Sequence, residues 1–159
     1  MQTIKFQLVK ASDQLTMQLI ANWYLSEWKI PVQKTVEGLQ KIAGDKLQFQ
    51  ILMTVNDLPV ATGGLYNHVG LLDKVPRLNT YKNWLALVYT LPDKRQQGYG
   101  ALICNHIQNH AEKLGINKIY LFTDTAERLY KRLGWVELER IAIENRNIVI
   151  MEKALTNQN

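Results

Sequence analysis

Residues 83–90 read NWLALVYT, an almost continuous apolar run. A strand of that composition has to be covered on both faces, which places it in the middle of a sheet. A basic, glycine-punctuated turn follows, Arg95-Gln96-Gln97-Gly98-Tyr99-Gly100. It leads into an amphipathic helical pattern that runs to Leu114, with Gly115 placed to cap it. A second strand pattern, NKIYLFT, begins at Asn117. Strand, helix and strand in that order form a unit whose two strands are parallel. Residues 83–123 therefore restrict the chain to folds with a parallel pair inside the sheet.

The flanking segments predict the rest of a mixed α/β domain. Ile4, Phe6 and Leu8 alternate along a strand over residues 3–9. Ser12 is placed to cap a helix with an apolar face of Leu15, Leu19, Ile20 and Trp23, ending near Trp28. Pro31 opens a second helix with Val32, Val36, Leu39 and Ile42 at helical spacing before Gly44. Residues 48–55 and 58–66 read as a hairpin around Asn56-Asp57, its second strand weakened by Pro59 and Gly63-Gly64. Residues 67–82 read as a loop. AERLYKRLGW contains a short helix, and 135–143 and 146–153 close the chain as strands around Glu144-Asn145. The expectation is a mostly antiparallel sheet of about seven strands flanked by about four helices, one domain over residues 1–159.

Composition narrows the partners. The formal charge of +5 comes from scattered Lys and Arg with no like-charge run, so nucleic acid is not expected as a partner. No apolar stretch reaches the roughly 18 residues of a membrane span, and MQTIKFQLVK lacks the apolar block of a signal peptide. With Cys104 as the single cysteine there is no disulfide framework, and a reducing cytoplasm is the expected setting.

The chemistry lies where the turn meets the helix. The first N–H groups of a helix lack internal partners, and the helix dipole adds partial positive charge there. Gly98 and Gly100 let a ligand approach the backbone, and Lys94 and Arg95 add charge beside it. These features suit a phosphate or pyrophosphate. The alternative is a plain strand-to-helix turn with Arg95 solvated. The stretch is neither a Walker loop nor the dinucleotide fingerprint, since no Gly-Lys-Ser/Thr follows, only two glycines are present and no acidic ribose-binding residue ends the next strand in the usual frame.

The segment VYTLPDKRQQGYGALI resembles the acetyl-coenzyme A motif of the GNAT superfamily of N-acetyltransferases, V-x-P-x-x-R-G-x-G-x-G. AERLYKRLGW is similar to that family's A-x-x-x-Y-x-x-x-G-F/W, and RNIVIMEKAL to the I-M-x-K-x-L ending of many bacterial members. NWLALVYT resembles a central strand of one bacterial subgroup. The resemblance implies acetyl-CoA as co-substrate, a primary amine as acceptor, and a parallel pair splayed around the cofactor. It implies cofactor contacts from Val88, Tyr89 and Thr90, from the turn Arg95, Gln96, Gln97, Gly98, Tyr99 and Gly100, and from Ala101. It also implies a polarising backbone N–H near Leu87 and Tyr130 as general acid. Lys131 or Arg132 would reach toward the nucleotide end.

Departures from the family pattern are Gln96 in place of Gly, Thr90 in place of Val, and the absence of an Asn in LFTDTAERLY. The strand carries no carboxylate or histidine, so the base is open between Glu27, Asp124, His68 and relayed water. Glu27 and Trp28 are candidates for the acceptor side, through charge and cation–π contact. A non-catalytic acetyl-CoA-binding or regulatory module is the alternative to an enzyme. His106 and His110 share a helix face, yet no further ligands accompany them, so no metal is expected. The chain is expected to act as a monomer or homodimer.

Overall fold

The computed structural model describes residues 1–155. In chain order the elements are β1 (Ile4–Leu8), α1 (Gln14–Trp28), α2 (Val32–Ile42), β2 (Phe49–Val55), β3 (Leu58–Tyr66), α3 (Leu71–Lys74), β4 (Trp84–Thr90), α4 (Tyr99–Lys113), β5 (Lys118–Thr123), α5 (Glu127–Arg132), β6 (Val136–Ile143) and β7 (Arg146–Ala154). Short 3-10 turns cover Pro76–Thr80 and Pro92–Lys94. The seven strands form one sheet in the order β1-β2-β3-β4-β5-β7-β6. All neighbours are antiparallel except β4 and β5. This is the mixed, mostly antiparallel architecture that the patterns predict.

Local chemistry explains the joints. Asn56 and Asp57 have φ of 51° and 68°, and Glu144 and Asn145 have 49° and 62°. Positive φ at both central residues matches the strand twist of two-residue hairpins. Gly115, at φ 85°, closes α4: its N–H reaches the Glu112 carbonyl while that of Ile116 reaches Ala111.

Three details differ from expectation. Asp13, not Ser12, is the N-cap of α1, and its carboxylate accepts the Lys10 N–H at 2.8 Å instead of capping the helix. Leu15 is 89% exposed. The buried stripe is Met17, Ile20, Ala21 and Tyr24, and Leu15 lies about 200° around the helix from Met17. The stretch 67–82 is no open loop: α3 and a 3-10 turn bury Leu71, Leu72 and Leu78 against Trp84, Ile148 and Ile150. Leu71 and Leu72 are adjacent and Leu78 lies six residues on, so the short turns leave no periodic signal.

Helix α4 packs Ile103, Ile107 and Ala111 against Ile51, Met53 and Leu65 on one face of the sheet. Helices α1 and α2 pack against the other face, where Met17, Ile20 and Leu39 meet Leu52 and Tyr89. His106 stacks on Phe6 with ring centroids 4.1 Å apart, and His110 meets Phe49 edge-on at 4.5 Å. Both imidazoles are packing groups. Burial first, then the charge of Lys113, holds both below the ordinary value; His110 also lowers His106. The unfolded chain thus takes up protons first as pH falls through about 6.5. Stability should drop from there until the folded groups also titrate, and then level off. Urea midpoints across that window should show the slope, and the double variant His106→Gln, His110→Gln should flatten it. An unchanged slope would remove these two histidines as its source.

Candidate active site

Strand β4 is irregular where it matters. On its β3 side Thr62 pairs with Tyr89 and Gly64 with Ala86, so Leu87 and Val88 together face the single residue Gly63. Leu87 has φ of 58°. A left-handed leucine costs about 1–2 kcal/mol, so its surroundings must hold it. On its other side β4 shares only the register pair Trp84–Tyr120 with β5, extended by the Tyr120 N–H to the Asn83 carbonyl at 3.0 Å. Beyond that point the two strands diverge.

A buried polar network surrounds the bulge. Tyr24, on α1, donates its hydroxyl to the Leu87 carbonyl at 2.6 Å. The same oxygen accepts from Gln50 Nε2 at 2.9 Å, and that amide also donates to Thr62 Oγ1 at 2.8 Å. Thr62 donates in turn to the Ile51 carbonyl at 2.7 Å, and Tyr66 donates to Gln50 Oε1. Burial raises both phenols well above the ordinary tyrosine value, so both remain donors. Gln50 and Thr62 are buried, so a lost bond here is not replaced by bulk water. A β-carbon at Gly64 would lie 2.4 Å from Gln50 Oε1 and 2.7 Å from the Phe49 carbonyl. One at Gly63 would lie 2.9 Å from Ile107 Cδ1 and 3.1 Å from Val88 Cγ2. The glycine pair that weakens β3 as a sequence pattern is what lets the amide and the bulged strand fit.

The splay opens a cleft of about 1180 Å³. The bulged stretch Leu85–Val88 lines one wall, and Leu121–Ala126 with Tyr130 lines another; Trp28, Lys34 and Glu37 come from α1 and α2. Tyr130 sits on α5 with its ring edge-on to Trp135 at 6.1 Å. Burial, and then the neighbouring Cys104 thiol, push its pKa well above the usual phenol value. Burial likewise pushes Cys104 up to about 12, which leaves a neutral thiol.

The turn lies at the other end of β4. Gln96 and Gly98 have φ of 64° and 84°, and Gly98 is the N-cap of the 15-residue α4 with no side-chain cap bond. Left-handed residues here turn successive N–H groups to one side, the geometry of an anion nest. Positions for a β-carbon on Gly98 or Gly100 meet no atom within 4 Å, so the backbone is open to a ligand. Arg95, Gln96 and Gln97 are exposed and Ala101 is half-buried. Tyr99 turns inward, its hydroxyl accepting from Gln2 at 3.1 Å, so only its backbone faces the turn. The side chain of Tyr89 is also buried, stacked on Trp23 at 5.3 Å. Arg95 donates to the Thr90 carbonyl at 2.8 Å and to Glu27 at 3.1 Å, and its guanidinium lies 5.5 Å from the Tyr89 ring centre.

The candidate bases separate by position. Glu27 is engaged by Arg95 and is not among the cleft residues. Asp124 lines the cleft, but the Arg146 guanidinium at 2.8 Å holds its carboxylate below the usual range and weakens it as a base. His68 lines the cleft and pairs with Asp73 at 3.1 Å. Trp28 is half-exposed at the cleft, 5.2 Å from the Tyr24 ring. Lys131 is paired with Glu127 at 2.8 Å. The four network residues carry no sequence motif; the one hint is a glutamine inside the apolar strand QFQILMTV.

Residues 53–137, more than half of the chain, match the family described as the acetyltransferase (GNAT) domain. The chain belongs to the GNAT acetyltransferase family. Solved structures agree on the fold. An aminoglycoside 6'-acetyltransferase type Ii aligns with a TM-score of 0.75 at 14% identity, covering 98% of this chain and 99% of its own. An aminoglycoside 6'-N-acetyltransferase complexed with coenzyme A gives 0.74 at 12%, covering 98% and 99%. The ribosomal-protein-S18-alanine N-acetyltransferase from Escherichia coli gives 0.68 at 17%, covering 99% and 97%. At these identities the likeness is one of fold. No curated protein sequence matches the chain. Among the described residues of this GNAT acetyltransferase, no helix is long and apolar enough to cross a membrane.

Proposed function

We propose that this GNAT acetyltransferase is a single-domain enzyme that takes acetyl-CoA as its co-substrate and transfers the acetyl group to a primary amine by direct attack. One observation carries the reading: the β4–β5 divergence opens a cleft that holds a bulged β4 backbone on one side and Tyr130 on the other. The turn Arg95–Gly100, with Ala101, would take the pyrophosphate on backbone N–H groups. The backbone of Val88, Tyr89 and Thr90 would meet the pantetheine arm as an added strand. An N–H at the bulge would polarise the thioester carbonyl.

The thioester is already activated, so the amine nitrogen can bond to the acetyl carbon while the carbon–sulfur bond breaks. Tyr130 returns a proton to the leaving sulfur. The amine loses its proton through His68 or relayed water, and Trp28 packs against the acceptor. Both small-molecule and protein amines fit this chemistry, and both belong in an acceptor panel.

Isothermal titration with acetyl-CoA tests the co-substrate, and thiol release with an amine panel tests the transfer. No binding at millimolar acetyl-CoA would overturn the proposal. Gly98→Val puts a β-branched side chain at φ 84° beside the open nest. It should weaken acetyl-CoA at least about tenfold, from backbone strain and lost approach. Affinity equal to the parent's would show that the turn does not bind the cofactor.

A further inference from the structure

We infer that Tyr24 is a positioning residue for acetyl transfer, holding the Leu87–Val88 peptide so that the Val88 N–H is presented to the thioester carbonyl. The inference rests on the acetyl-CoA reading above. Leu87 is left-handed and strained, and β5 no longer flanks β4 at this position. Ladder pairing on the β3 side is interrupted as well, because two residues face Gly63. A 2.6 Å bond from the Tyr24 hydroxyl holds the Leu87 carbonyl of this peptide.

A trans peptide is planar, with its C=O and N–H pointing in opposite directions. Fixing the Leu87 carbonyl on the α1 side therefore fixes the direction of the Val88 N–H. Preorganisation of such a donor matters because it spares reorganisation at the moment charge develops on oxygen. The rest of the network serves the same end. Gln50 donates to the Tyr24 oxygen and thereby leaves the phenolic proton for Leu87. Tyr66 and Thr62 hold the two ends of the Gln50 amide. Gly64 leaves the space in which that amide stands.

Tyr24→Phe keeps the ring and removes the bond. It should lower kcat by about tenfold or more, with acetyl-CoA affinity within about twofold of the parent. It should also move the carbonyl resonance of bound acetyl-CoA, isotopically labelled at that carbon, toward its free value. Ile148→Val trims one carbon from a buried position on β7, outside the network and the cleft. It should lose comparable stability and keep kcat within about threefold.

Unchanged kcat and resonance in Tyr24→Phe would overturn the assignment. So would an equal loss of kcat in Ile148→Val, which would reduce the effect of Tyr24→Phe to lost stability. A parent that binds no acetyl-CoA would remove the functional reading and this one with it. A parent that binds acetyl-CoA, with a carbonyl resonance that Tyr24→Phe does not move, would remove this one alone.

Discussion

Replacing Tyr130 with phenylalanine should lower turnover by roughly a hundredfold, with little change in acetyl-CoA affinity. The ring packs against Trp135 and the main core, and phenylalanine keeps that packing. Only the hydroxyl, which sits beside the Cys104 thiol, is lost, on a residue that lines the cleft. A positioned general acid contributes about 10²–10⁴-fold, so the lower end is expected where the leaving thiolate can still take a proton from water. Burial raises the phenol's pKa well above its ordinary value, so the hydroxyl stays protonated throughout the neutral range. Turnover should therefore show no loss from Tyr130 ionisation as pH rises toward about 10. Cys104 beside it stays a neutral thiol and offers no competing nucleophile. Steady-state kinetics and titration calorimetry on the same variant decide the matter. Parent-like turnover would take the acid role from Tyr130.

Gly64→Ala should be the most damaging single methyl in the fold. The new carbon would stand 2.4 Å from Gln50 Oε1 and 2.7 Å from the Phe49 carbonyl. The first neighbour belongs to a buried amide held by three hydrogen bonds, and the second is backbone of the paired strand. Neither can move without separating β2 from β3 or breaking the network. Overpacking typically costs 1–3 kcal/mol, and a loss of about 3 kcal/mol is expected here. In a chain of this size that corresponds to a fall in Tm of about 10 °C. Thermal and urea unfolding measure it directly. A loss below about 0.5 kcal/mol, the range of ordinary surface changes, would show that the amide is not held where the structure places it.

Much of the fold is legible in the residues themselves. NWLALVYT, the glycine turn and NKIYLFT predict a parallel pair in the sheet, and β4, α4 and β5 supply it. The hairpin turns at Asn56-Asp57 and Glu144-Asn145 are local chemistry, and their positive φ values follow from it. Leu15 departs from the expected face because an amphipathic pattern shows that a stripe exists without showing which neighbour it meets. On α1 that neighbour is α2 and the β2–β4 face, which selects Met17, Ile20 and Tyr24. Helix α3 is invisible to periodicity because four residues make barely one turn, too short for a pattern to repeat.

By itself the sequence determined the strand–helix–strand unit, the glycine turn at the start of α4 and the family to which the chain belongs. Those depend on contacts between residues near in sequence, where spacing and propensity carry the information. Tertiary structure alone decided that Tyr24, Gln50, Thr62 and Tyr66 meet in one buried network. It decided too that this network grips a strained leucine 63 residues away along the chain from Tyr24. It turned Gly63 and Gly64 from a weakness in a strand into the room that the bulge and the amide require. The reason is physical: a buried hydrogen bond is specified by the desolvation of both partners, and burial of each is set by chain segments far away in sequence.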